Sequence, residues 1–257
     1  MKIIKFVLVN LIAVSLSACV TTTDSRFTKK ADPSKAVASY VALGVGYLNS
    51  GDLIMARKKI ERALEIAPDS AAAHSAMALY WMERGEPKLA GKEFEQAHDL
   101  DDSYSPNNYH YGRYLLAEKN DDHGCDLIAE AANDFNYDAR VSAYEDLGIC
   151  LRHFNDTSRA IDAFEKAWSL DLNSTISMLE LTSIYIERKK LRSATRWYKR
   201  FEKTIGDNNV PHSAKSLFVG SQLARAKRDR NALASYGFKL KKRFPNSEEY
   251  RRYKNGQ

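Results

Sequence analysis

Apolar and small residues recur along this chain at helical spacing, and the pattern itself repeats. Tyr40, Leu43, Gly44 and Tyr47 fall at i, i+3, i+4 and i+7, one stripe of an amphipathic helix. A turn signal, Ser50-Gly51-Asp52, follows, and then a second stripe of Ala56, Ile60 and Ala63 closed by Pro68. Displacement by 34 residues lays the same pattern on His74, Met77, Ala78, Trp81, Ala90, Phe94 and Ala97. A second displacement by 34 lays it on Asn108, Tyr111, Gly112, Leu115, Gly124, Ile128 and Ala131. After a two-residue insertion near 134–138, a fourth unit carries Tyr144, Leu147, Gly148, Leu151, Ala160, Phe164 and Ala167. A fifth carries Met178, Leu181, Thr182, Tyr185, Ala194 and Tyr198, and a looser sixth carries Gly220, Leu223, Ala232 and Tyr236 before Pro245. Further turn signals stand at Arg84-Gly85-Glu86-Pro87, Lys119-Asn120-Asp121-Asp122 and Asn155-Asp156. The pattern predicts six helix–turn–helix units over residues 37–70, 71–104, 105–138, 141–174, 175–208 and 213–246. Two ungapped shifts of 34 argue against an unrelated bundle with chance alanines.

A 34-residue helical period with W-x2-L-G-x2-Y, A-x3-F and a late Pro resembles the tetratricopeptide repeat. The expected fold is all-α: a concave, right-handed superhelix of about six hairpins, over residues 37–250. Small residues at Gly44/Ala56, Ala78/Ala90 and Gly148/Ala160 allow close approach within a hairpin. Large ones at Tyr47/Ile60, Trp81/Phe94 and Leu151/Phe164 fill the space between hairpins. No unit buries its apolar face alone, so stacking stabilises the array. In such arrays the second, fifth, ninth and twelfth residues of each unit line the concave face. These are Ala38, Val41, Val45 and Leu48 in unit one, and Ala72, Ser75, Leu79 and Met82 in unit two. Val41, Val45, Leu48, Leu79 and Met82 are thus the expected partner-binding groove, fit for an amphipathic helix or an extended segment. The bland alternative is that the tether or a neighbouring helix covers Val41 or Val45. Tyr109, Arg113 and Leu116 of unit three, and Glu145, Ile149 and Arg152 of unit four, form a mixed polar rim. The Lys and Asn clamp for a terminal carboxylate is missing from the first two units.

The first residues are a targeting segment. Lys2 and Lys5 precede an apolar stretch, residues 6–16, too short for a stable span. Leu16-Ser17-Ala18-Cys19 resembles a lipobox, with 1–18 the signal peptide and Cys19 the lipidated residue. An ordinary cleavage after Ala18 is the alternative, but it gives the cysteine no role. Val20 in place of Asp points to the outer membrane, on its periplasmic face. Residues 19–36, polar and Thr-rich, read as the lipidated cysteine and a flexible tether.

Composition adds a charge asymmetry. The 257 residues carry 39 Lys and Arg against 33 Asp and Glu, a net of +6. Residues 187–257 hold 20 basic and 6 acidic side chains, a net of +14, while residues 19–186 carry −10. This exceeds what solvation needs and suits anionic head groups or an acidic partner. No base-stacking motif accompanies it, so nucleic acid is not expected. The six histidines show no HExxH spacing, and GxSxG, P-loop and Rossmann patterns are absent from the sequence. The densest group, Asp121, Asp122, His123, Cys125 and Asp126, lies at a turn where Asp is a normal cap. The expectation is no enzyme, no metal, no cofactor and a monomer. Cys125 falls one turn into the second helix of unit three and Cys150 late in the first helix of unit four. Those helices are expected to run antiparallel as neighbours, which predicts a disulfide in an oxidising compartment. The other reading is two small buried residues.

The whole mature chain resembles the type IV pilus pilotin lipoproteins, six-repeat proteins that help a secretin reach the outer membrane and assemble there. The stretches that carry this are YVALGVGYLNSGDLIMARKKIERALEIAPDS (40–70), NNYHYGRYLL (107–116), YEDLGICLRHFNDTSRAIDAFEKAWSLD (144–171) and SAKSLFVGSQLARAKRDRNALASYGFKLKKRFPNSEEY (213–250). Ser216-Leu217-x-x-Gly220, Asp229-Arg230 and Phe244-Pro245 in the last are not plain repeat consensus. Gly124 departs from the family, which usually has Ala. The resemblance implies binding of the type IV pilus secretin subunit and its delivery to the outer membrane for pilus biogenesis and twitching motility. The physics of the sequence alone reaches a lipid-anchored, protein-binding solenoid, which leaves an adaptor for another envelope machine, such as peptidoglycan hydrolases, as the alternative.

Overall fold

The computed structural model describes residues 32–256, so the expectations for the signal peptide, Cys19 and most of the tether lie outside the described residues. Described residues form six hairpins and a terminal helix. The hairpins are α1 Pro33–Asn49 with α2 Leu53–Ile66, α3 Ala71–Glu83 with α4 Pro87–Leu100, and α5 Ser105–Tyr114 with α6 His123–Asn133. They continue as α7 Arg140–His153 with α8 Thr157–Leu170, α9 Thr175–Glu187 with α10 Leu191–Asp207, and α11 Ala214–Ala226 with α12 Arg230–Arg243. The last helix, α13, spans Glu248–Lys254. Consecutive hairpins stack into a right-handed tetratricopeptide superhelix, with first helices packed on first helices along the inner layer.

Local chemistry sets the helix ends. Asp52, Ser70, Asp156, Ser174, Ser213, Asp229 and Ser247 each accept a hydrogen bond from a backbone N–H in the first turn of the following helix. Asp32 caps α1 and Pro33 opens it, so the helix takes in the last four residues, 33–36, of the expected tether. At the other end α13 extends the folded part beyond 250. Its Tyr253 hydroxyl donates to the Leu233 carbonyl, and a Cβ on Gly237 would lie 2.1 Å from that hydroxyl oxygen.

Each hairpin turns through one residue of positive φ: Gly51, Gly85, Asn120, Asn155, Lys189 and Arg228. The third arrives one residue later than a spacing of 34. The π-helical turn Leu115–Lys119, which widens the end of α5, takes up that residue.

Hairpin three also explains the departure at Gly124. A Cβ on Gly112 would lie 2.5 Å from the Gly124 carbonyl oxygen, and a Cβ on Gly124 would lie 2.5 Å from that of Gly112. The two backbones touch, which leaves no room for the alanine found at Ala56 and Ala90. Around these small positions the core is completed by Ile60, Phe94, Ile128 and Phe164, each 0–1% exposed. The second helix of this hairpin is joined to the next by a Cys125–Cys150 disulfide, with Cα atoms 5.7 Å apart.

Three outcomes are expected in thermal or urea unfolding. Gly112→Ala should destabilise by about 2 kcal/mol, because the methyl meets backbone. Gly46→Ala, with nothing within 4 Å of its Cβ position, should stabilise by about 0.5–1 kcal/mol through helix propensity. Reduction of the disulfide, or Cys125→Ser with Cys150→Ser, should cost about 3 kcal/mol from the loop it closes. Equal stability of reduced and oxidised protein would contradict this.

Candidate functional site

The five expected groove residues do not form one surface. Val41 and Leu48, 9% and 8% exposed, are buried in the core of the first two hairpins with Ala73, Ala76 and Tyr80. Val45 is half-buried against the same cluster. Among the described residues α1 has a single first-helix neighbour, α3, and its apolar positions fold onto it. Packing therefore requires these side chains, and the groove expected on units one and two is corrected. Leu79 and Met82 behave differently: both line a cavity one unit further along.

That cavity, about 540 Å³, opens on the concave face where α3, α5 and α7 run side by side. Leu79, Met82, Tyr114, Leu116 and Ile149 supply its apolar wall, and Ile149 is 46% exposed. His110, Arg113, Asp146 and His153 supply the polar one. Asp146 accepts from the Tyr109 hydroxyl at 2.8 Å and pairs with Arg113 Nε at 3.3 Å, so the polar wall is fixed across two units. Burial, reinforced by the Arg113 charge, lowers the His110 pKa to about 4, and the imidazole is neutral above that. The His153 ring contacts Asn120, the left-handed residue of the third turn. Cys150 reaches the lining, and its bridge to Cys125 ties the wall to α6.

Of these, Arg113, Leu116 and Ile149 were expected at the rim. His110, Tyr114, Asp146 and His153 were not, because they sit one residue beyond the positions that the repeat rule names. A two-by-two reading of the sixth and thirteenth positions of units three and four would have found His110, Asp146 and His153.

Beyond the cavity the concave face closes on itself. Glu180, buried in α9, is the partner of both Arg152 from α7 and Lys215 from α11, the latter at 2.6 Å. Arg152 also holds Glu187 at 2.7 Å. Glu145, likewise buried, accepts from the Ser174 hydroxyl, and burial raises its pKa. Charges here are matched within the chain, whereas the cavity presents open apolar wall. Among the described residues no group of three or more His, Cys, Asp and Glu is arranged to hold a metal ion.

No family profile matches the chain. The type IV pilus assembly protein PilF of Pseudomonas aeruginosa is 33% identical over 252 residues, covering 97% of this chain and 98% of the relative. A solved structure of Pseudomonas aeruginosa PilF superposes with a TM-score of 0.76 at 31% identity, over 88% of this chain and 99% of that one. The crystal structure of PilW, a widely conserved type IV pilus biogenesis factor, superposes with a TM-score of 0.71 at 21% identity, over 84% and 97%, a likeness of fold. With a third of its residues shared from end to end on a common superhelix, the chain belongs to the PilF family of type IV pilus assembly proteins.

Proposed function

We propose that this protein is an outer-membrane lipoprotein, anchored through Cys19, that binds the secretin subunit of the type IV pilus and promotes its localisation and multimer assembly. One observation carries the binding reading: the open cavity of units two to four. It offers Leu79, Met82, Leu116 and Ile149 on the inner face of the array, with the buried Tyr114 as its floor, which is the form of a helix-in-groove or extended-peptide site. The remaining concave face has its charges already paired. A ligand there would have to break the pairs that hold the buried Glu180 carboxylate, at a cost that an open apolar wall does not impose. Lys2, Lys5, the short apolar stretch and Leu16-Ser17-Ala18-Cys19 support the anchor, and membership of a pilus assembly family supports the secretin as partner.

The groove is tested by Leu79→Glu with Ile149→Glu. Co-purification with the secretin should weaken by at least about tenfold, while helicity by circular dichroism stays at the wild-type level. Undiminished binding would move the site off this cavity. Val41→Glu is the contrast: it places a charge in the core and should lower the melting temperature. The anchor is tested by Cys19→Ser, which should move the protein to the soluble periplasmic fraction and leave heat-stable secretin multimers in the inner membrane. A Cys19→Ser protein that still floats with outer membranes defeats that part of the proposal.

A further inference from the structure

We infer that the outward face of the last two hairpins is a docking surface for an anionic phospholipid bilayer. The surplus of +14 in residues 187–257 is spread in sequence but gathered in space. On α10, Arg192, Arg196, Lys199 and Lys203 fall within an arc of about 60° at 3.6 residues per turn, and all four are exposed. Beside α10 lies α12: the Tyr198 and Tyr236 rings are 6.0 Å apart, and the Tyr236 hydroxyl donates to Glu202 at 3.0 Å. On α12, Phe238 is 66% exposed and stands among exposed Lys239, Lys241, Lys242 and Arg243. An exposed aromatic ring set in a field of lysines is the chemistry of an interfacial contact, the ring entering the head-group boundary while the cations hold phosphates.

The acidic side chains of this region leave most of the stripe unneutralised. Asp207 pairs with Lys203 at 2.6 Å, at one end of the stripe, and Glu187 is held by Arg152. Glu202 accepts from Tyr236, Asp229 caps α12, and Glu248 and Glu249 lie in the first turn of α13. Arg200 is withdrawn from the surface field, its guanidinium lying 4.7 Å from the Trp168 ring and 4.5 Å from that of Trp197. Arg192, Arg196 and Lys199 are left without a salt bridge among the described residues. A bilayer is favoured over an acidic protein because the patch combines a row of exposed cations on α10 with an exposed ring on the neighbouring α12, a pairing that suits a head-group boundary. The surface is also distinct from the cavity of units two to four, so both can be occupied at once. The inference draws on the membrane setting proposed above, but its test uses protein without an acyl chain, so its failure leaves the anchor and the groove untouched.

The experiment is co-sedimentation of the full chain carrying Cys19→Ser with vesicles of phosphatidylethanolamine and phosphatidylglycerol, and with vesicles of phosphatidylcholine alone. Binding is expected to the anionic vesicles only, and to fall away between about 50 mM and 500 mM salt. Arg192→Glu with Arg196→Glu and Lys199→Glu should weaken it about a hundredfold, the matching Gln triple less, and Phe238→Ala several-fold. Arg84→Glu with Lys88→Glu and Lys92→Glu makes the same change in net charge on the second hairpin and should leave binding near the wild-type level, with all variants matched for helicity and melting temperature. Equal partition onto both vesicle types, an equal loss in the control triple, or stable association with an acidic envelope protein in place of vesicles would each overturn the inference.

Discussion

The architecture depends on how closely two helix backbones can approach within one hairpin. In the first four units small residues stand on both helices, Gly44 and Ala56, Ala78 and Ala90, Gly112 and Gly124, Gly148 and Ala160, and Gly44 and Gly112 lie against the backbone of Ala56 and Gly124. That contact sets the thickness of the unit and hence where its large side chains emerge. With the helices close, Ile60, Ile128 and Phe164 pack over Gly44, Gly112 and Gly148 of their own hairpins and are fully buried, as is Phe94. A bulkier residue at the small positions would separate the helices and take those side chains off their neighbours. Short-range sterics thus become long-range curvature, because every unit repeats the same offset.

Curvature in turn creates an inner face, and its two halves use polarity differently. From α3 to α7 the wall is apolar and incomplete, with the few charges held at its edge by Tyr109, Arg113 and Asp146. From α7 to α11 the wall is ionic and complete, Glu180 lying between Arg152 and Lys215. Ion pairs of limited solvent access contribute little net stability but penalise any arrangement that breaks one of them. The second half is therefore suited to holding α7, α9 and α11 in register and the first half to exchanging solvent for a partner.

The repeat was legible in the sequence because it is written in side-chain size: Gly112, Gly148 and Phe164 announce their places whatever surrounds them. The disulfide was legible for the same reason, once Cys125 and Cys150 had positions in the register. The site was only partly legible. Whether a concave position is exposed depends on the helix next to it, and a rule derived for the middle of an array misplaces its end. Val41 and Leu48 obey the rule in spacing and break it in burial, since they pack onto Ala73, Ala76 and Tyr80 of α3. Hairpin three hides its own information differently. The extra residue taken up by the Leu115–Lys119 π turn changes no spacing among the packing positions, so nothing in the pattern marks it, yet it shapes the wall of the cavity. The helix α13 escaped notice because seven residues carry too little periodicity to stand out from a charged tail.

The Cys125–Cys150 bridge has a mechanical meaning. A solenoid pulled by its two ends yields one unit at a time, each released hairpin adding its full contour length to the chain. Here the bridge joins residues 25 apart in sequence and shortens the load path through the middle of the array. About 85 Å of extended chain stays out of the path of the force until the bond is reduced. The hairpins that lend their first helices to the cavity wall from α5 to α7 are therefore tied to one another even after their neighbours on either side have come undone.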